Sequence, residues 1–529
     1  MPLDFVRIRP FAAVGIALFS GAACPSPEGD PIDFSGTGST GATDDGAVTT
    51  TGEVSADSTG PGSPCETDED CVGDPAGEVC DLGEGQCSPP CVPGQTRTCY
   101  SGPEDTQDIG ACMSGTNECM EDGRWSVFCS GEVLPGAEEC GNGLDDDCDG
   151  MVDDSDVDGD GFGVCSGDCC DVDGAGCTEA ALVNPGAYEV VGNELDDDCD
   201  DEIDEAPVDC DAGLASDSAD PLQYAQALEL CETTEEDPAD PNDRTWGVIN
   251  ATFSRADGNG TPVPVQHSLR AEFGDLVNAQ QGDRMVVLSS GHAAATNQTN
   301  PDFAPFETGQ DLGSGGSVPS DWLDANGGVM PNPAGCLEPW NTDANDSVML
   351  TLRVRAPTNA SSFSVRTFFY SAEYPEWVCS EFNDFFVALV DSTAENPEDK
   401  NIAIYDDNGT PWPLGVNLVM VAEGLFTQCE NGEVGCARDL GTDYFGCVGD
   451  NLLAGTGFDA TDSEACEPTQ GMAGGGTGWL RMSGNVTPGE VFEIRFAIWD
   501  TSGHLYDSLV LLDDWEWSVE AAEPGVAPG

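Results

Sequence analysis

The sequence predicts a mainly β protein in which a C-terminal antiparallel β-sandwich, of jelly-roll type, follows disulfide-rich, irregular acidic modules. Three observations carry that expectation. Beyond residue 243, apolar and polar residues alternate with a period of two in several runs, the signature of strands with one buried face. Cys24 aside, the 25 cysteines fall into a block of 18 between Cys65 and Cys231 and a block of six between Cys336 and Cys466, each even and able to close on itself. Finally, 100 Asp plus Glu stand against 15 Lys plus Arg, a formal net charge of −85.

The charge narrows the classes of partner. Neutralising a phosphate backbone takes Lys and Arg, and the sequence has a single lysine, Lys400. That argues against nucleic acid and against docking on an anionic membrane through a basic patch. The natural partners of so many carboxylates are divalent cations. At the N-terminus, Arg7 and Arg9 precede an apolar stretch, Phe11 to Ala23, so residues 1–23 read as a signal peptide. That stretch falls short of the roughly 20 residues needed to span a bilayer, and no later run is long enough. Gly21-Ala22-Ala23 before Cys24 resembles the cleavage box of bacterial lipoproteins. The resemblance implies a lipid on Cys24 as the one membrane attachment. That family usually has Leu where Gly21 stands, so a plain signal-peptidase cut near Ala23 is the alternative.

Residues 24–64 are rich in Gly, Ser, Thr, Pro and Asp and read as a disordered tether. Residues 65–132 carry nine cysteines and few large apolar residues. Such a segment depends on cross-links, each contributing about 2–4 kcal/mol by restricting the unfolded chain. Zinc is the rival use of cysteine, but there is no C-x-x-C pair and only three histidines exist. The run CVPGQTRTCYSGPEDTQDIGACMSGTNECMEDGRWSVFC (91–129) resembles a cysteine module of secreted myxobacterial-type proteins, which implies a scaffold and no activity.

Residues 133–232 contain an internal repeat. ECGNGLDDDCDGMVDD (139–154) aligns with VVGNELDDDCDDEIDE (190–205) at an offset of 51. The pattern resembles the MopE-type metal-binding repeat. Copy one has Cys140 and Cys148, which could close a short loop; copy two has Val191 at the first position, leaving Cys177 or Cys210 as partners for Cys199. Asp145, Asp146, Asp147, Asp149, Asp153 and Asp154 crowd the first loop, and Asp196, Asp197, Asp198, Asp200 and Asp204 crowd its copy. Between them, Asp156, Asp158 and Asp160 followed by Gly161 reproduce the D-x-D-x-D-G opening of calcium loops, in which alternate side chains turn oxygens inward and glycine permits the sharp turn. An EF-hand would have Glu at position 12, where Gly167 stands, so Asp168, Asp171 or Asp173 would complete the shell. A solvated acidic face is the rival. Against it, like charges 4 Å apart cost about 4 kcal/mol at an effective dielectric near 20. Oxygen ligands favour calcium over a transition metal, and no His lies in the repeat to carry over the copper chemistry linked with MopE.

Residues 243–520 form the sandwich. Val348, Leu350, Leu352 and Val354 alternate with Met349, Thr351, Arg353 and Arg355, and Phe492, Ile494, Phe496 and Ile498 repeat the pattern. FSVRTFFYS (363–371), FFVALV (385–390) and SLVLLD (508–513) are further strands. FFYSAEYPEWVCSEFNDFF (368–386), GGTGWL (475–480) and FAIWDTSGHLYDSLVLLDDW (496–515) resemble the choice-of-anchor L domain, which implies extracellular display by one of many anchors and no established activity. Glu373, Asn383, Asp384, Asp500 and Asp507 sit in those motifs on neighbouring strand ends. They form a possible sandwich site for calcium or a sugar, or else a buried polar network that fixes the fold.

Catalysis finds little support. H-E-x-x-H, G-x-S-x-G and Walker motifs are missing from the sequence, and His504 beside Asp500 and Asp507 is the one candidate constellation. The chain therefore reads as a non-enzymatic, exported, surface-anchored, calcium-stabilised binding or adhesion protein. Glycans or other surface proteins are its candidate partners; exposure of Trp377, Trp412 or Trp479 would favour glycans. The alternatives are a structural envelope protein with acidic spacers and a metal-sequestering surface protein.

Overall fold

The computed structural model describes residues 64–529 except 66, 73, 75–76, 78, 82–85, 149, 151, 154–155, 175–176, 239–243, 423, 461–465 and 467–473. The signal peptide, Cys24 and nearly all of the 24–64 tether lie outside the described residues, as do Asp149 and Asp154. No helix among the described residues is long and apolar enough to cross a membrane.

The C-terminal strands build two seven-stranded antiparallel sheets. In chain order they are β1 (Gly247–Ser254), β2 (His267–Arg270), β3 (Met285–Ser289), β4 (Gly315–Ser317), β5 (Asp343–Arg355), β6 (Ser362–Ser371), β7 (Phe385–Asp391), β8 (Ile404–Asp406), β9 (Pro411–Gly415), β10 (Gly475–Gly476), β11 (Leu480–Asn485), β12 (Val491–Asp500), β13 (Ser508–Ser518) and β14 (Gly525–Pro528). One sheet runs β4–β5–β12–β7–β9–β8, with β1 following β4 along the same edge of β5. The other runs β14–β11–β6–β13–β3–β2, with β10 beside β6. The chain passes between sheets from β5 to β6, from β6 to β7 and from β12 to β13, so consecutive long strands face each other across the core.

The period-two runs fall where alternation places them. Leu350 and Leu352 on β5 lie opposite Phe496 and Ile494 on β12, which lie opposite Ala388 and Val390 on β7. These side chains meet Phe363, Val365, Phe369, Val510 and Leu512 of the other sheet in the central core. FFVALV is apolar throughout because its outer face is also covered: Phe385, Val387 and Leu389 pack with Trp499 and with Trp322 of a short helix, α1 (Ser320–Ala325). The other sheet's outer face carries Phe368, Tyr370, Leu509 and Leu511, covered by Phe273 from a two-residue strand and by Phe306 and Phe458 from loops.

The sandwich reaches beyond residues 243–520. Tyr224, Leu228 and Leu230, from a helical turn around residues 221–230, sit in the central core, and β14 pairs with β11. The N-terminal part holds only short strand pairs and is cross-linked throughout, as a segment with so little to bury requires. Nine disulfides join the first cysteine block and three the second. The pairing corrects the expected short loop. Cys140 bonds Cys165 and Cys148 bonds Cys112, so two bridges tie the first repeat to its neighbours on either side. Cys199 bonds Cys169, not Cys177 or Cys210. The physical reason is that Cys148 is buried with a left-handed backbone, φ 66°, and faces the preceding module.

Candidate metal centres

The two repeats fold into loops that share part of their hydrogen bonding, with the same Glu, Asn and Asp positions as partners. In the first, Glu138 Oε1 accepts the N–H groups of Asp146 and Asp147 at 2.7 and 2.9 Å. Asn142 donates to Asp146 Oδ2 at 2.5 Å, and Asp153 accepts the N–H groups of Asn142 and Gly143. In the second, Glu189 accepts from Asp197 and Asp204, Asn193 donates to Asp197, and Asp204 accepts from Gly192 and Glu194. Asp146, Asp153, Asp197 and Asp204 therefore organise the loop backbone. What remains turned inward is a second set: oxygens of Glu138, Asp145 and Asp147 lie within 4.8 Å of one another. In the copy, Asp198 Oδ1 and Glu205 Oε2 are buried without a hydrogen-bond partner. Burial first, then the neighbouring carboxylates, pushes the pKa of Asp198 up to about 7. Asp200 is exposed and accepts from Glu202 N, while Asp196 accepts from Asp200 and Asp201.

The loop between the repeats is the most developed of these sites. Asp156 spends both oxygens on the loop, accepting from Gly159 and Gly161, while the others use one each: Asp158 accepts from Asp160, Asp160 from Phe162, Asp168 from Cys170, and Asp171 from Val157. Asp158 Oδ2, Asp160 Oδ2 and Asp168 Oδ2 are buried and accept no hydrogen bond of good geometry, although the Asn184 side chain stands beside Asp160. Oxygens of Asp158, Asp160 and Asp168 converge within 4.8 Å, as do those of Asp156, Asp158 and Asp171. Gly161, at φ 100°, makes the turn that lets the alternate aspartates converge. Asp168 and Asp171 fill the place of the missing position-12 Glu, while Asp173 instead accepts from Ala180 N. Burial, reinforced by the neighbouring carboxylates, raises the pKa of Asp160 to about 7 and of Asp168 to about 6. The donor set is oxygen alone, which suits a hard cation.

The sandwich brings together four of its five expected residues. Asn345 on β5 is in register with Asp500 on β12, Phe385 on β7 with Trp499, and Ser371 on β6 with Ser508 on β13, so five strand ends coincide at one end of the fold. Asp384 Oδ1 accepts from Thr501 N at 2.9 Å and Oδ2 from the Ser508 hydroxyl at 2.8 Å; Glu373 Oε2 accepts from Asp384 N. Asn383 turns away and accepts from Asn417 N. Asp346 joins the four without any signal in the sequence. It stands in an irregular stretch of β5 between Asn345 and Val348, at φ 44°, and is fully buried. It accepts from Leu312 N, Ser314 N and His504 Nδ1. His504 thus faces Asp346 rather than Asp500 or Asp507. Burial, then mutual repulsion, holds the carboxyl pKa values of Glu373, Asp384 and Asp507 well above the ordinary range and that of Asp500 at about 7.

Glu138, Glu189 and Asp346 were missed by sequence reasoning. The first two stand one residue ahead of the aligned repeat block, at the same offset of 51, so extending that block would have found them. Trp377, Trp412 and Trp479 are half-buried, and the exposed tryptophan is Trp340.

Comparison with known families agrees with this division. Residues 272–516 match the choice-of-anchor L domain. The chain carries a choice-of-anchor L domain. Residues 130–154 and 179–205 match a MopE-type motif named for metal binding, which supports metal ions as ligands of this part of the chain. Both families point to an extracellular or surface-associated protein. No curated protein and no solved structure matches the chain.

Proposed function

We propose that this choice-of-anchor L protein is a non-enzymatic surface protein whose acidic repeat region holds calcium, and whose sandwich is the displayed binding or adhesion end. One observation carries the metal reading: Asp158, Asp160 and Asp168 each spend one carboxylate oxygen on the loop and turn the other, buried and accepting no hydrogen bond of good geometry, toward a common point. Buried unpaired carboxylates cost several kcal/mol each unless a cation or a proton meets them. An all-oxygen site on an irregular loop suits calcium, which accepts variable geometry, better than magnesium. Lipid attachment at Cys24 supplies the surface anchor in this reading, with surface glycans or proteins as partners of the sandwich.

The test is calorimetric titration of the full oxidised chain, stripped with chelator, against calcium, magnesium, copper and zinc. The proposal expects calcium binding with a dissociation constant of about 10⁻⁴–10⁻³ M, the range of extracellular modules, and a higher melting temperature. Tight copper or zinc binding with no calcium heat would instead support metal sequestration.

A further inference from the structure

We propose a second, separate cation site inside the sandwich, where Asp500 and Asp507 hold a calcium-type ion that ties the ends of the two sheets together. The site does not rest on the repeat loops.

Asp500 is 1 % exposed and Asp507 0 %, and none of their four carboxylate oxygens has a hydrogen-bond partner. Ser290 and Asp384 stand beside Asp500, and the backbone of Gln310 beside Asp507, without meeting hydrogen-bond geometry. The surroundings are built for these side chains. Asp507 lies flush against Gly291, where an added Cβ would come 1.8 Å from Oδ2, and Gly309 closes the other side with an added Cβ 3.1 Å from Oδ1. Asp384 links the two, because it accepts from the residue after Asp500 and from the residue after Asp507. Ser290, at the end of β3, accepts from Ser508 N at 3.0 Å and so fixes the start of β13.

Five carboxyl groups, those of Asp346, Glu373, Asp384, Asp500 and Asp507, are thus sealed from water with His504 as the basic group bonded to the cluster. Asp384 stands beside Asp500, and a proton shared between them is the rival arrangement. It leaves both oxygens of Asp507 without a partner, and these together with Asp500 call for a positive charge between the two side chains. An all-oxygen, nearly dry environment selects an ion that gives up its water readily, which favours calcium over magnesium. Since Asp500 ends one sheet's central strand and Asp507 precedes the other sheet's central strand, the ion would staple the ends of the two layers together.

Terbium luminescence of the full oxidised chain, with lifetimes compared in light and heavy water, separates this site from the repeats. In an Asp158→Asn/Asp160→Asn variant, a terbium population with little or no bound water should persist. In an Asp500→Asn/Asp507→Asn variant, that population should vanish while the hydrated one remains. The opposite pattern at the repeats would overturn the repeat reading alone. Asparagine mimics a protonated carboxyl, so a shared-proton network predicts that the sandwich pair melts no lower than wild type and keeps every terbium population. That result would overturn the proposal. Should the sandwich pair fail to fold, the repeat variant decides: no dehydrated population there, with the sandwich folded by near-ultraviolet dichroism, overturns it equally.

Discussion

At the scale of the residue, the decisive distinction among so many carboxylates is whether each oxygen already has a donor. Asp146 and Asp160 look alike in sequence, yet Asp146 receives Asn142 and the Glu139 N–H on Oδ2, while Asp160 Oδ2 is buried and accepts no hydrogen bond of good geometry. Asp160→Asn should therefore weaken calcium binding about tenfold or more, about 1.4 kcal/mol, with little change in fold; an unchanged isotherm would remove Asp160 from the site. A second residue sets a pH response of its own. His267 lies against Tyr224, whose hydroxyl is 2.7 Å from Nδ1, and burial depresses its pKa to about 4. The fold holds this histidine neutral, so its contribution to stability is whole above the unfolded value near 6.5 and is lost as pH falls toward 4. The loss amounts to about 3 kcal/mol at pH 4. Denaturant titrations in excess calcium should show His267→Gln, which removes the titration, with a shallower acid limb than wild type. Parallel limbs would assign the acid sensitivity elsewhere.

At the scale of the element, strands were legible and connections were not. Val348 to Val354 and Phe492 to Ile498 read as strands because a half-buried pleat imposes period two, and they form adjacent strands of one sheet. The choice-of-anchor L-like motifs placed Glu373, Asn383, Asp384, Asp500 and Asp507 at neighbouring strand ends; four of them meet, and Asn383 turns to Asn417. Asp346 was not legible because an irregularity in β5, which no alternation reveals, turns it inward. Tyr224 and Leu230 were assigned to the repeats because a single helical turn is too short to show a period. Disulfide connectivity was not legible either, since even counts permit many pairings. The observed pairing has a consequence. Cys112–Cys148 closes a separation of 36 residues and pins the residue that follows Asp147. The chain-entropy model gives that bond about 4 kcal/mol. Cys112→Ser with Cys148→Ser should lower the melting temperature of the N-terminal region and weaken calcium binding at Glu138, Asp145 and Asp147. Retained affinity would mean that the loop's own hydrogen bonds suffice to shape it.

At the scale of the whole molecule, a formal charge of −85 makes general screening and specific binding easy to confuse. Self-repulsion among exposed carboxylates destabilises any compact state, and salt relieves it, because the Debye length falls to about 10 Å at 0.1 M. A protein that was merely acidic would gain stability equally from sodium chloride and calcium chloride at matched ionic strength. The buried oxygens of Asp158, Asp160, Asp168 and Asp198 are different, for a diffuse ion atmosphere does not reach groups without solvent access. Site binding stabilises by mass action, about 2.7 kcal/mol for each site at a hundred times the dissociation constant. The melting temperature of the full chain should therefore rise further in millimolar calcium than in sodium chloride of equal ionic strength, and chelator should reverse only the calcium increment. Identical curves in the two salts would reduce the acidic loops to a solvated face held by disulfides, and the surface protein would then owe its shape to covalent bonds and its sandwich core alone.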